Sequence, residues 1–140
     1  MKSPDAAIEM WAIERLRPHP KNYRRHPEGQ LVVLERSLRR HGFRKGIVVQ
    51  RSTGFVLAGH GLLEAARRAG LKAVPVAPWE VSDAQALEYL GTDNLSAQLG
   101  EDDDAALAAM AAELADDLGI DALVEGGFAD HQRLLDWIEE

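Results

Sequence analysis

The sequence contains no cysteine, which excludes a disulfide framework, a thiolate nucleophile and any cysteine-ligated zinc or iron–sulfur centre. It also lacks an apolar run near the roughly 18 residues that would span a bilayer. The start of the chain, with Asp5 and Glu9 close in, has no signal-peptide pattern. A cytoplasmic protein without a membrane partner is therefore expected. There is no internal repeat and no long linker. Positive charge is almost missing from the second half: residues 73–140 hold Arg133 alone against 17 acids, whereas residues 1–72 hold 15 of the 16 Lys/Arg and 6 of the 23 Asp/Glu. The balances of +9 and −16 leave the net charge of −7. A basic half suits phosphate or nucleic acid, and an acidic half is repelled by a phosphate backbone. The plainer account is that each half solvates its own surface and attracts the other.

What is present is ordinary for a folded chain: 140 residues, 46% hydrophobic and 28% charged, enough for one core and a small appendage. "MWAIERLRPHP" alternates apolar and polar residues at Trp11, Ile13 and Leu16 before Pro18 and Pro20, the pattern of a half-buried edge strand ended by prolines. "KNYRRHPEG" follows as a polar loop. Leu31, Leu34, Glu35 and Leu38 mark an amphipathic helix from Glu28 to His41, with Arg36, Arg39 and Arg40 on its outer face and Gly42 as its stop. "GIVVQRSTGFVLAG" predicts strands over Ile47–Arg51 and Phe55–Ala58 around a Ser-Thr-Gly turn, and Gly61 to Ala69 is helical with Gly70 as its C-cap. "KAVPVAPW" supplies another short strand, which Pro75 places at an edge or a strand end.

Beyond Trp79 the β-branched residues give way to alanine, leucine and acids, and the pattern is helical. Ser82 with Gln85 forms a capping-box signature for a helix through Leu90 that reaches at most Leu99. "EDDDAALAAMAAELADDLG" carries its acids at the helix N-terminus, where the dipole favours them, and stops at Gly119. "FADHQRLLDWIEE" sets Phe128, Leu134, Leu135 and Ile138 near one face of a last amphipathic segment.

The stretch "VLAGHGLLEAARRAG" puts two glycines around a histidine where a strand gives way to a helix. Such a turn leaves backbone N–H groups unpaired at the positive end of the helix dipole, a natural phosphate site. Gly59 and Gly61 would let a ligand approach the backbone, and His60 could add a donor. Two such glycines also serve awkward backbone geometry, with no ligand involved.

Taken in order, residues 11–98 resemble the N-terminal domain shared by ParB partition proteins and sulfiredoxin. "LRPHPKNYRRHPEGQLVVLERSLRRHGFRKGIVV" looks like the family's opening loop, helix and second strand. "GHGLLEAARRAGLKAVPV" is similar to its glycine-led nucleotide motif, in the form found among phage and methyltransferase-associated members. "YLGTDNLSAQLG" looks like its third motif, an acid followed by asparagine. The segment from Glu101 onward is similar to the acidic helical tail of the phage-type group.

The resemblance implies an α+β fold, a small mixed sheet with packed helices over residues 1–80, followed by an acidic all-helical extension over 81–140. It implies nucleotide phosphates over Gly59, His60, Gly61 and Leu62, with Arg24 or Arg25 as a charged clamp. It places magnesium near Asp93 and Asn94, whose oxygens are hard donors. Asp93 and Glu35 are the catalytic candidates, although Glu35 reads more simply as a surface partner of Arg39 at i+4. Family members carry an arginine after the glycine motif where this chain has Leu62, and an unreplaced phosphate donor costs about 1.5–3 kcal/mol. His60, Arg67, Arg68 or Arg44 would have to compensate, though Arg67 and Arg68 also suit a helix C-terminus. Sulfiredoxin's own activity is excluded for want of its cysteine.

The expected function is magnesium-dependent binding of CTP or ATP in a DNA-associated process, with nucleotide hydrolysis or kinase-like phosphoryl transfer as the chemistry if there is any. One alternative is a DNA-binding or nuclease module using Arg36, Arg39, Arg40, Arg44 and Lys45. Nuclease chemistry is disfavoured by the lack of clustered carboxylates, and an acidic tail is not expected to read DNA. The other alternative is a non-catalytic accessory module whose acidic helices dock on a DNA methyltransferase or a phage DNA-processing protein. Trp79, Phe128 and Trp137 would then be its anchors unless, as is commoner, they are core.

Overall fold

The computed structural model describes residues 7–139; the start of the chain around Asp5, on which the argument about a leader rests, lies outside them. Five strands form one mixed sheet: β1 (Glu9–Ala12), β2 (Arg17–Pro18), β3 (Ile47–Gln50), β4 (Phe55–Ala58) and β5 (Ala73–Trp79), in the order β1-β5-β3-β4-β2. Helices α1 (Glu28–His41) and α2 (His60–Arg68) pack on it, and α3 (Asp83–Leu99), α4 (Asp104–Leu118), α5 (Ile120–Glu125) and α6 (His131–Glu139) follow. The architecture is α+β. No described helix is long and apolar enough to cross a membrane.

The single edge strand expected from "MWAIERLRPHP" is two strands on opposite edges of the sheet. Trp11 and Leu16 are buried, but between them Ile13–Arg15 make a 3-10 turn that carries the chain from β1 to β2. Four strand spacings of about 4.8 Å would set the edges of a flat sheet about 19 Å apart. The step from Ala12 to Arg17 spans at most about 17 Å even when extended, and much less with a 3-10 turn inside it. The sheet must therefore curl until its edges approach. The crossing is fastened at both sides, with Ile13 N donating to Lys72 O (2.9 Å) and Arg17 N donating to Gly54 O (2.9 Å).

β5 corrects the expectation of an edge strand, since it lies between β1 and β3 despite Pro75 and Pro78. The register explains the tolerance. β1 pairs only with residues 73–76 and β3 only with 76–79, so each proline has a neighbour strand on one side alone, as proline requires.

α1 buries Leu31 and Leu38, and α2 buries Gly61, Leu63, Ala65 and Ala66. Of these, Leu38, Leu63, Ala65 and Ala66 join Trp11, Leu16, Ile47, Val49, Val56, Val74 and Val76 in the first hydrophobic cluster. Ser82 caps α3 by accepting from Gln85 N, as its spacing predicts. A second cluster forms around Ala111, Leu123 and Leu134, with Phe128 and Trp137 edge to face at 5.9 Å. These two aromatics are packing, as is Trp79, which meets Tyr89 edge-on at 5.4 Å. The short α5 was not anticipated, because Gly119 (φ +86) ends α4 and starts α5 with no spacer. Its C-terminus rests on α1: Arg36 Nη1 donates to Val124 O at 3.3 Å, and a Cβ at Gly126 or Gly127 would press on Arg40 and Val33.

Gly54 and Gly70 share a left-handed φ of +76, yet a Cβ at Gly54 would overlap the Arg15 carbonyl oxygen while nothing lies within 4 Å at Gly70. Gly70→Ala should cost about 1–2 kcal/mol from backbone strain alone, and Gly54→Ala distinctly more, because the crossing turn must also move. Urea unfolding of the two variants measures the difference; equal costs would show that the crossing is not tight.

Candidate functional site

β2 pairs with β4 in parallel, Arg17 with Phe55 and Pro18 with Val56. Parallel strands release their chains at the same end of a sheet. The loop that leaves β2 therefore runs beside Gly59, where β4 turns into α2. Here the ring of His60 accepts a hydrogen bond at Nε2 from the backbone N–H of His19 (3.1 Å).

Gly59 takes φ +107 as the N-cap of α2, and no side chain among the described residues caps the helix. The first N–H groups of α2 therefore have no capping side chain. The empty Cβ positions differ from the sequence expectation. At Gly59 a Cβ would meet Ile47 at 3.2 Å, and at Gly61 it would meet Leu34 Cδ1 at 2.9 Å and the His26 ring at 3.0 Å. Both glycines let packed neighbours approach, so room for a ligand is not what they provide.

Beside this turn lies a cleft of about 310 Å³. One wall is the i, i+3, i+4, i+7 stripe of α2, His60, Leu63, Glu64 and Arg67; Pro18, Asn22, His26 and Leu31 close it. Burial in the first place, then the neighbouring His26 and His19, hold His60 well below the ordinary imidazole value, at about 4. The ring is neutral at pH 7. Since Nε2 accepts, the proton sits on Nδ1, which has no protein partner among the described residues. His19 is also lowered, mainly by burial. His26, Arg67 and a helix N-terminus make this corner receptive to an anion, with the Glu64 carboxylate opposing them.

The remaining expected residues divide. Leu62 is half-buried against the first cluster and offers only its backbone N–H. Arg24 turns away from the cleft to donate to Asn94 O (3.2 Å), whereas exposed Arg25 has no protein partner among the described residues. Asn94 Nδ2 donates to Asn22 Oδ1 (3.2 Å), and Tyr23 OH donates to Gly91 O (3.3 Å), so Asn94 belongs to a tie between the loop and α3. Asp93 is exposed and about 100° away from Asn94 around the helix. No group of three His, Asp or Glu that could hold a metal occurs among the described residues. The pair therefore does not fit a protein cage for magnesium. Glu35 binds Arg39 at 2.9 Å, the surface partnership its spacing predicts.

Arg68 forks onto Glu28 (2.7 and 2.6 Å) and ties α2 to α1. Arg67 is the arginine that lines the cleft, where its Nη2 donates to Leu16 O (3.3 Å) and its Nη1 lies 3.9 Å from Glu64. The basic patch is divided as well. Arg36 and Arg40 are engaged by α5, Arg39 by Glu35, while Arg44 and Lys45 stay exposed. Sequence reasoning missed Asn22, His19 and His26. They lie in an aperiodic polar loop, and nothing local shows that a parallel strand pair will bring it to α2.

No family model matches the chain. Stage 0 sporulation protein J of Bacillus subtilis (strain 168) is 33% identical over 94 residues, 65% of this chain and 33% of its own length. The chain thus spans about a third of the curated relative it matches. Among solved structures it is similar to the C-terminally truncated chromosome-partitioning protein ParB from Caulobacter crescentus complexed with CTP-gamma-S. That match has a TM-score of 0.82 and 25% identity, over 94% of this chain and 77% of that one. The same ParB complexed to the centromeric parS site matches with a TM-score of 0.54, 25% identity and coverage of 93% and 70%. A Pnob8-like ParB-N domain, 21% identical with a TM-score of 0.57 over 83% of this chain and 49% of that one, shares the fold. The chain has the ParB-N fold and carries a ParB-like domain.

The depressed pKa of His60 has a consequence for stability. Between pH 6.5 and about 4 the unfolded chain binds a proton that the folded His60 refuses, so stability falls as pH drops through that window and is fully present above it. His60→Gln should flatten the loss between pH 6.5 and 4.5, read from urea midpoints; an unchanged pH profile would assign the loss to other groups.

Proposed function

We propose that the chain binds a nucleoside triphosphate, CTP before ATP, with its phosphates at the start of α2 and along the cleft of His60, His26 and Arg67. The observation that carries this is an anion-receptive corner built at a helix N-terminus, in a chain of which 94% superposes on a ParB bound to CTP-gamma-S. Arg67 takes the part of the cation that Leu62 does not supply, and Arg25 is the free loop arginine within the same segment. Binding and positioning are what these residues support. Among the described residues Glu64 is the one carboxylate lining the cleft, so hydrolysis or transfer would rest on it, and no step is assigned to a metal held by Asp93 and Asn94.

The setting is DNA-associated, of the phage or methyltransferase-linked kind that the glycine motif resembles. Arg44 and Lys45, exposed beside the α1 face, are the residues left to touch a phosphate backbone. The acidic α4 is not a reading helix, and its face suits a protein partner better than DNA.

Calorimetry with CTP, ATP and ADP tests the proposal. Gly61→Val is unsuitable, since its side chain would strike Leu34 and His26 whether or not a ligand binds. Arg67→Ala should weaken CTP binding about 10- to 100-fold, the loss of one charge-assisted contact. Absence of heat with every nucleotide in a folded protein, or equal affinity in the variant, would overturn it.

A further inference from the structure

We propose that His60 is a positioning residue whose Nε2 tethers the loop at His19, and that this tether fixes the ring tautomer so that Nδ1–H is the donor offered to a phosphate oxygen in the cleft. The second half of this statement rests on the nucleotide reading; the first does not.

The direction of one hydrogen bond fixes the tautomer. A backbone N–H only donates, so His60 Nε2 must carry a lone pair where it meets His19 N at 3.1 Å. A neutral imidazole with a lone pair on Nε2 has its proton on Nδ1. That nitrogen has no protein partner among the described residues and is not fully buried, and the ring lines the cleft. The tether also holds the loop at one end, while Asn22, Tyr23 and Arg24 hold it to α3 at the other. His60 thus stands where the phosphate turn, the loop and, through the loop, α3 are joined.

Burial first, and then His26 and His19, keep the ring neutral. His19 and His26 face it from the loop, Glu64 and Arg67 from its own helix, and α1 contributes only Leu31, which does not titrate. A second proton would have to go onto Nε2 and would remove the acceptor that His19 needs. A simple electrostatic view would have acid strengthen anion binding by making imidazolium. The geometry predicts release of the loop instead.

The test uses the full chain at pH 7. Nitrogen-15 NMR of the histidine rings without nucleotide should show His60 protonated on Nδ1, and the His19 amide should be protected from hydrogen exchange. His60→Gln places its Oε1 where Nε2 was, so it should keep that protection yet weaken CTP binding about 2- to 10-fold through the lost donor. His60→Asn, whose amide replaces Nδ1–H but cannot reach His19, should lose the protection. An Nε2–H tautomer in the wild type, or loss of His19 protection in His60→Gln equal to that in His60→Asn, would overturn the tether. Failure of the wild type to bind CTP would overturn the donor role and the nucleotide reading, while the ring and amide measurements would still decide the tether.

Discussion

Two residues of parallel pairing, Arg17 and Pro18 against Phe55 and Val56, set the direction in which everything near the cleft is built. Because β2 and β4 point the same way, the loop after β2 and the helix after β4 begin side by side. The curl forced by the short crossing from β1 makes this pairing possible at all, since β2 closes the sheet at the edge opposite β1. A strand this short adds few ladder bonds. Its worth lies in direction, and the bonds from Arg17 N to Gly54 O and from His19 N to His60 Nε2 hold that direction on either side.

The glycine turn serves two demands at once. Left-handed backbone at Gly59 lets β4 end directly in α2, and the bare Cα of Gly61 lets Leu34 and the His26 ring close on the helix. That close approach brings α1 against α2, with the Glu28–Arg68 fork at the surface, and it brings His26 to the cleft. Packing and site are therefore the same contact seen from two sides.

Apart from α5, the helices were legible because their signals are local: the apolar spacing of α1, Ser82 and Gln85 at the start of α3, the acids and Gly119 around α4. The i,i+4 partnership of Glu35 and Arg39 was legible for the same reason. The sheet was less so. Alternation through Trp11, Ile13 and Leu16 looks the same whether one strand continues or two strands flank a turn. A proline in β5 argues for an edge unless one knows that each neighbour covers only half of the strand. At the candidate site the turn was found by its glycines, but the neighbours they admit were not legible, because which atoms face an absent Cβ depends on partners distant in sequence. His19, Asn22 and Arg24 owe their places to contacts 41, 72 and 70 residues away.

The charge division survives folding without being cancelled. None of the acids in α4, α5 and α6 forms an ion pair with a Lys or Arg among the described residues, and α5 meets α1 through a carbonyl and glycines instead of through carboxylates. The net charge of −7 therefore describes neither half of the sequence. A sequence pI of about 5.2 belongs to an ordinary acidic protein, yet a polyanion and a polycation would each find a stretch of this chain to attract it, and both attractions would weaken with salt as the Debye length shortens.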